Sequence, residues 1–164
     1  MTPLVALALS IGVLGGIATA LYLKIGLAIW AGFIAWACFF HSGGDTEALK
    51  KTIFGNLFGI VCAAIGAVLI LNGLNPAIAV GLTVFVMVLA AHLKPFSTIP
   101  ASVYGYAATF AYLLQTTDAM VMGKLVIVDI QGNPIVVVAL SMILGAIFGL
   151  ISAKVAAALT KKAA

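Results

Sequence analysis

The chain has 164 residues, of which 65% are hydrophobic and only 7% are charged, whereas roughly a quarter of a soluble domain is charged. So few charges cannot cover a surface that faces water, which excludes an ordinary soluble domain and predicts a polytopic membrane protein. All eight basic residues are lysine, and no basic run exceeds two residues, so the net charge of +4 does not indicate nucleic-acid binding.

Apolar stretches follow one another along the chain, and a helix crosses the hydrocarbon core with about 20 residues. We predict six spans, at 3–23, 25–40, 52–71, 77–91, 97–114 and 134–159. Ala18-Thr19-Ala20 has the form of a signal-peptide cleavage site, but no lysine precedes it, so the first span is expected to be retained. A polar loop closed by Lys50 and Lys51 separates the second and third spans, and Pro76 is placed to begin the fourth.

The segment 115–133 allows two interpretations, because it mixes Asp118, Lys124 and Asp129 with apolar residues. It is either an external loop with a short amphipathic or re-entrant piece, or the beginning of a longer sixth helix.

Lysine distribution predicts the orientation of the six spans, because cytoplasmic loops are enriched in basic residues. One side of the membrane holds both termini and six lysines, and the other holds two, Lys24 and Lys124. The six are Lys50, Lys51, Lys94, Lys154, Lys161 and Lys162. Both termini are therefore expected in the cytoplasm. Five spans would place the two most lysine-rich regions on opposite sides.

The chain resembles itself at two offsets, which indicates an internal repeat. Residues 23–40 and 93–110 share six of eighteen positions at an offset of 70, including Lys24 and Lys94, and the third and sixth spans match at an offset of 83. We predict an inverted three-plus-three repeat, with copies at 1–73 and 74–164 in one membrane domain. Three spans per copy invert the second copy in the bilayer, as in channels and transporters.

Polar and aromatic side chains within the spans are the candidates for lining a pore or binding a substrate. The two histidines at span ends, His41 and His92, are candidates for pH sensing. The pore or substrate candidates are Trp30, Trp36, Phe40, Asn56, Ser97, Thr98, Tyr104, Tyr106 and Phe110. Ordinary packing is the competing interpretation, above all for the aromatic residues. Asn56 could instead hydrogen-bond to a neighbouring helix. The segment 94–100, which includes Ser97 and Thr98, could instead be an ordinary turn at the membrane interface.

Several absences in the sequence narrow the function. No Asp, Glu, Lys or Arg lies at the centre of a predicted span, which argues against proton-coupled transport and against a strongly charged substrate. Cys38 and Cys62 lack metal-ligand spacing and are interpreted as buried thiols. No catalytic motif or phosphate loop is present, so neither an enzyme, nor a cofactor, nor a metal site is expected.

Two stretches carry a family resemblance. They are Gly-Leu-Ala-Ile-Trp-Ala-Gly-Phe-Ile-Ala-Trp-Ala-Cys-Phe-Phe at 26–40 and Pro-Ala-Ser-Val-Tyr-Gly-Tyr-Ala-Ala-Thr-Phe-Ala at 100–111. Nearly the whole chain resembles a family of small bacterial inner-membrane proteins, catalogued as domain of unknown function 1097. The resemblance implies an inner-membrane location and little more. The three-plus-three plan is also similar to the general plan of urea, formate and water channels.

The sequence therefore predicts an all-α polytopic membrane protein of about six transmembrane helices that forms a homo-oligomer. The expected function is a channel or facilitator for a small neutral or weakly polar solute. A secondary transporter is the first alternative. A non-transporting membrane subunit that binds a partner protein is the second. The expected partners are the lipid bilayer, a small-molecule solute and further copies of the chain, with no nucleic acid.

Overall fold

A computed structural model describes residues 1–127 and 129–161, and the regular structure in these residues is entirely helical. The helices are α1 Pro3–Ile25, α2 Ile29–His41, α3 Thr46–Leu71, α4 Pro76–Leu89, α5 Ile99–Gln115, the single turn α6 Met122–Leu125 and α7 Pro134–Lys161, with short 3₁₀ turns at Ala90–His92 and Lys94–Phe96. Val128 of the predicted loop and Lys162 of the predicted basic tail lie outside the described residues.

Within the described residues, three helices, α1, α3 and α7, are long and apolar enough to cross a membrane, which is compatible with a membrane protein. Helices α2, α4 and α5 have 13, 14 and 17 residues. At 1.5 Å per residue, α2 extends about 20 Å, which is less than the roughly 30 Å hydrocarbon core. The number of full spans therefore stays a prediction.

Helix α3 begins at Thr46, six residues before the predicted third span. The Asp45 carboxylate accepts a hydrogen bond of 2.7 Å from the backbone N–H of Ala48, so it caps the first turn. Lys50 and Lys51 consequently lie on the helix, and their predicted place in a loop is wrong. The sequence-based prediction followed hydropathy and missed the capping residue.

In its described residues, the segment 115–133 is a loop that folds back on the bundle, with α6 as the single helical turn between α5 and α7. The Asn133 amide nitrogen donates to the carbonyl of Ile127 at 2.9 Å, and its oxygen accepts from the backbone N–H of Ile135 at 2.8 Å. Asn133 thus ends the loop and caps α7, which begins at Pro134. The alternative of a longer sixth helix that begins earlier is wrong.

Helix pairing follows a crossed pattern. Helix α2 packs chiefly against α7, and α5 packs chiefly against α3. Helix α1 lies against α7, and α4 lies against α3. At the centre, small residues of α2 and α5 meet larger side chains of α3 and α7, in a cluster that includes Ala31, Ala35, Ile60, Ala108, Val138 and Met142. The small residues Ala31 and Ala35 of α2 and Ala101 and Ala108 of α5 are therefore buried.

The two ends of the bundle carry different loops. The Gln131 side chain donates to the carbonyl of Ile25 at 3.4 Å, so the loop before α7 covers the end of α1 beside Lys24. Lys50, Lys51 and Lys94 line one cleft together at the start of α3.

Candidate functional site

Helices α3 and α5 approach each other very closely, and glycine makes this contact possible. A methyl group at Gly59 would overlap the carbonyl of Ser102, and one at Gly105 would overlap the carbonyl of Asn56. Each helix thus presents a glycine to a carbonyl of the other. Small residues let the backbones of membrane helices pack this closely.

Two polar side chains lie at this contact without a protein partner. Asn56 is 1% exposed and Ser102 is 2% exposed. The amide nitrogen and oxygen of Asn56 and the hydroxyl of Ser102 have no hydrogen-bond partner among the described residues. Asn56 lies ten residues after Thr46, about 15 Å along the helix axis. The unpaired groups are therefore deep in the bundle, where leaving a polar group unbonded is costly.

Helices α7 and α2 form a matching contact without such polar groups. A methyl group at Gly145 would overlap the carbonyl of Gly32, as at Gly59 and Ser102. The residue three positions before the glycine is Met142 on α7 and Asn56 on α3. The hydroxyl of the neighbouring Ser141 is satisfied, since it donates to Val137 at 2.6 Å and accepts from Ala28 at 3.0 Å. Close packing of this kind therefore does not itself require an unbonded polar side chain.

Trp36 and Tyr106, two of the predicted pore residues, are buried and hydrogen-bonded inside the protein. The Trp36 indole N–H donates to the hydroxyl of Ser152 at 3.0 Å, and the Tyr106 hydroxyl lies 2.8 Å from that of Thr83. The space between Trp36, Tyr22 and Gly145 has no room for a water molecule. Both aromatic side chains thus take part in packing and interhelical bonding, and a pore role for them stays a prediction.

The remaining aromatic candidates are spread over the bundle. Trp30 and Tyr104 are partly buried against the central cluster. Phe40 packs edge-on against Phe39 with ring centres 5.2 Å apart, and Phe110 packs on Tyr106 at 5.1 Å. The structure therefore does not gather these aromatic side chains around one point.

The candidates at helix ends make no hydrogen bond to Asn56. Ser97 is exposed and its hydroxyl donates to the carbonyl of Lys94 at 3.0 Å, while Thr98 precedes α5 without capping it by a side-chain hydrogen bond. His92 is exposed. The Nδ1 atom of His41 lies 3.1 Å from the Tyr104 hydroxyl and joins the end of α2 to α5. Sequence reasoning grouped these residues by span, but the fold separates them.

The tripeptide Asn75-Pro76-Ala77 has the asparagine-proline-alanine sequence of the water channels. Here the exposed Asn75 side chain accepts a hydrogen bond of 2.9 Å from the backbone N–H of Ala77. Pro76 is the first residue of α4. The tripeptide is therefore a helix cap at the end of the bundle.

Sequence reasoning missed Ser102 as a site residue. The offset of 70 places Ser102 against Gly32, so a hydroxyl stands in one copy where the other copy has no side chain. That difference was the available signal. Burial and the lack of a partner become visible only once α3 and α5 are packed together.

Comparison with known proteins identifies a family but no function. Neither a curated protein nor a solved structure matches the chain. The family described as "Protein of unknown function (DUF1097)" matches residues 8–157, which is most of the sequence. The chain belongs to this family, and the family predicted from residues 26–40 and 100–111 is confirmed.

Proposed function

We propose that this protein is a facilitator for a small neutral or weakly polar solute, and that Asn56 and Ser102 form the polar step of its path. The observation that carries the proposal is the pair of deeply buried, unbonded side chains at the α3–α5 contact. An amide and a hydroxyl together offer both donors and acceptors. A solute such as urea or a short amide has complementary groups.

The energetic argument rests on what the groups would otherwise cost. A buried polar group without a partner costs about 1–3 kcal/mol. The α2–α7 contact has Gly32 and Met142 at the corresponding positions. Since the same kind of helix contact forms there with apolar residues, Asn56 and Ser102 are better explained by a ligand than by packing.

An uncharged solute suits the surroundings of the pair. Helix α5, and α3 beyond Lys51, contain no Asp, Glu, Lys or Arg, and the charged residues of the described helices lie toward the helix ends. A charged solute at this depth would need a counter-charge or a metal ion.

An inverted repeat supports a transport role, and we infer one from two features of the bundle. The order of buried, half-buried and exposed residues in 31–40 is repeated without change in 101–110. These two segments belong to α2 and α5, and each of these helices packs chiefly against the third helix of the other copy, α2 against α7 and α5 against α3. Inverted repeats in transporters place the substrate site where the copies meet.

Helices α3 and α7 are the third helices of the two copies. The geometry favours a different residue offset between them from the one that sequence identity suggested. Gly59 and Gly145 make equivalent contacts, with the carbonyls of Ser102 and Gly32, and they are 86 residues apart. Residue identities gave an offset of 83. Identities among glycine and alanine are frequent by chance in such a chain, whereas the carbonyl contacts are specific.

A secondary transporter is the second candidate, because the α3–α5 contact is closed in this structure. A solute reaches Asn56 only when the two helices move apart. Helices α3, α4 and α5 pack together, as do α1, α2 and α7, and these groups could rock against each other.

The orientation that we propose places both termini in the cytoplasm and the chain in the bacterial inner membrane. Lys50, Lys51 and Lys94 meet at one end of the bundle, whereas the loop with Lys124 covers the end of α1 at Lys24. The lysine-rich end is the cytoplasmic one under the positive-inside rule.

Stopped-flow light scattering on proteoliposomes tests the proposed facilitation. The vesicles are shrunk osmotically and reswelled with urea, formamide, acetamide or glycerol. The proposal predicts faster reswelling than in empty liposomes for at least one of these solutes, without a coupling gradient. Saturable uptake that needs an ion gradient would instead indicate a secondary transporter. No flux from folded protein would leave the partner-binding subunit as the better proposal.

A further inference from the structure

A cleft at one end of the bundle brings together lysines from distant parts of the chain. Its volume is about 200 Å³. The first two turns of α3 form one wall, and the 3₁₀ turn Lys94–Phe96 forms the other. The lining residues are Glu47, Lys50, Lys51, Phe54, Lys94 and Pro95.

The cleft carries an excess of positive charge. Lys50 lies 3.6 Å from Glu47, and both side chains are mostly exposed, so this ion pair is weak. It is the one salt bridge within the part of the chain that the structure describes. Three lysines against one carboxylate leave a net charge of +2. The complementary ligand is therefore an anion.

Aromatic stacking fixes the second wall. Phe96 stacks on Phe58 of α3 with ring centres 4.2 Å apart and planes at 24°. This contact holds the 3₁₀ turn against α3, so the backbone at Lys94 is fixed on the cleft that Lys51 also lines. A cleft with two anchored walls requires less ordering when it binds a ligand than a mobile loop would.

The apolar continuation of the cleft favours a lipid over a free anion. Phe54 lines the cleft and is 53% exposed, and Val61 and Ile65 are 53% and 52% exposed. Their spacing of seven and four residues places them on one face of α3, running from the lysines toward the membrane centre. A phospholipid with its phosphate in the cleft would have its acyl chains along this face.

We propose that the cleft binds the phosphate group of an anionic phospholipid, with Lys51 and Lys94 as its principal cationic contacts. Basic pockets between membrane helices at the membrane surface recognise such headgroups. The lipid would join the start of α3 to the α4–α5 connection. This site is at the bundle end, and its occupation does not depend on whether the protein transports a solute.

Native mass spectrometry of the full chain with phosphatidylglycerol or phosphatidylcholine tests the site. Wild-type protein should retain phosphatidylglycerol in preference to phosphatidylcholine. The double variant Lys51→Gln with Lys94→Gln should lose this preference, by about fivefold for each lysine. The matched control, Lys24→Gln with Lys124→Gln, removes the same charge at the opposite end and should leave it unchanged.

A second experiment distinguishes a lipid phosphate from a free phosphate ion as the ligand. Inorganic phosphate in millimolar excess should not displace the lipid if the acyl chains contribute to binding. Displacement by inorganic phosphate would overturn the lipid assignment and indicate a site for a soluble anion. Equal retention of both lipids by wild-type protein, or equal loss in both double variants, would overturn the proposal. Circular dichroism of each variant checks that the helices persist.

Discussion

Gly59 and Gly105 are the residues that let α3 and α5 approach so closely that no side chain fits between them. The contact accounts for the burial of Asn56 and Ser102, since both flank it. A change at either glycine therefore acts on stability and on the proposed site together.

The substitution Gly59→Ala should destabilise the protein by about 1–3 kcal/mol, because the added methyl group would overlap the Ser102 carbonyl and force the helices apart. Unfolding in mixed micelles of increasing denaturing detergent measures the effect. Gly12→Ala is the matched control, since a methyl group there would have no described atom within 4 Å outside its own stretch of α1. The control should be neutral or slightly stabilising, because alanine favours a helix by about 1 kcal/mol over glycine. Equal losses in both variants would contradict the packing account.

Trp36 tests whether the buried aromatic residues serve packing or passage. Trp36→Phe keeps a ring in place but removes the donor to Ser152, which still bonds to Gly149 at 2.7 Å. We expect a loss of about 0.6–1 kcal/mol, as for other hydrogen bonds between membrane helices. The same detergent titration measures it.

Solute flux through Trp36→Phe should equal that of the wild type. A changed solute selectivity with unaltered stability would favour the pore interpretation of Trp36.

At the scale of residues, the sequence identified which polar side chains lie within the spans, but it could not identify their hydrogen-bond partners. Asn56 was recognised as an amide within a span, but its lack of a partner depends on which residues of α5 face it. The burial of Ser102 depends on its packing near Asn56, which is 46 positions earlier in the chain. The hydrogen bond from Trp36 to Ser152 joins residues that are 116 positions apart. Those contacts follow from helix packing and not from local pattern.

At the scale of elements, capping residues determine where helices begin. The strongest cap is at α3, where the Asp45 carboxylate accepts from Ala48 at 2.7 Å. At α1 the Thr2 hydroxyl accepts from Val5 at 3.4 Å, which is a longer and exposed bond.

The substitution Asp45→Ala should therefore cost about 1 kcal/mol and fray the first turn of α3. Hydrogen exchange of the amides at 47–50, measured by mass spectrometry, reports the fraying. Thr2→Ala is the control and should accelerate exchange only at α1. Unchanged exchange at 47–50 in Asp45→Ala would contradict the assigned start of α3.

Sequence patterns predicted the elements better than their ends. All six predicted spans correspond to a helix, and Pro76 and Pro134 begin α4 and α7. The start of α3 was misplaced because hydropathy falls in its first turns, although Asp45 is a good capping residue. The segment 115–133 could not be assigned from hydropathy alone, since the bonds of Asn133 to Ile127 and Ile135 determine its end.

At the scale of the whole molecule, six crossings with cytoplasmic termini predict which loops face outward. Thr117 and His92 are exposed residues in different loops. In a background with Cys38→Ala and Cys62→Ala, single cysteines at these positions can be labelled with a membrane-impermeant maleimide. Thr117→Cys should react in intact cells, and His92→Cys should react only after the membrane is opened. Labelling of both from outside would contradict the six-span topology.

The plan of the whole molecule was only partly accessible from sequence. Identities at an offset of 70 indicated the relation between α2 and α5, which matches the repeated burial pattern. The crossed pairing of α2 with α7 and of α5 with α3 could not be deduced, because glycine and alanine faces fit several neighbours. The residue offset that relates α3 to α7 likewise became visible only from the carbonyl contacts of Gly59 and Gly145.

In the proposed function, Asn56 offers its amide to a passing solute. The most direct measurement compares reswelling rates of proteoliposomes that contain wild-type protein or Asn56→Leu, which has a similar size but no polar group. Removing an unbonded buried amide should leave stability equal or higher. Losing one hydrogen bond of about 1.4 kcal/mol at the barrier should slow passage about tenfold. A stable Asn56→Leu protein that passes the solute at the wild-type rate would contradict the account.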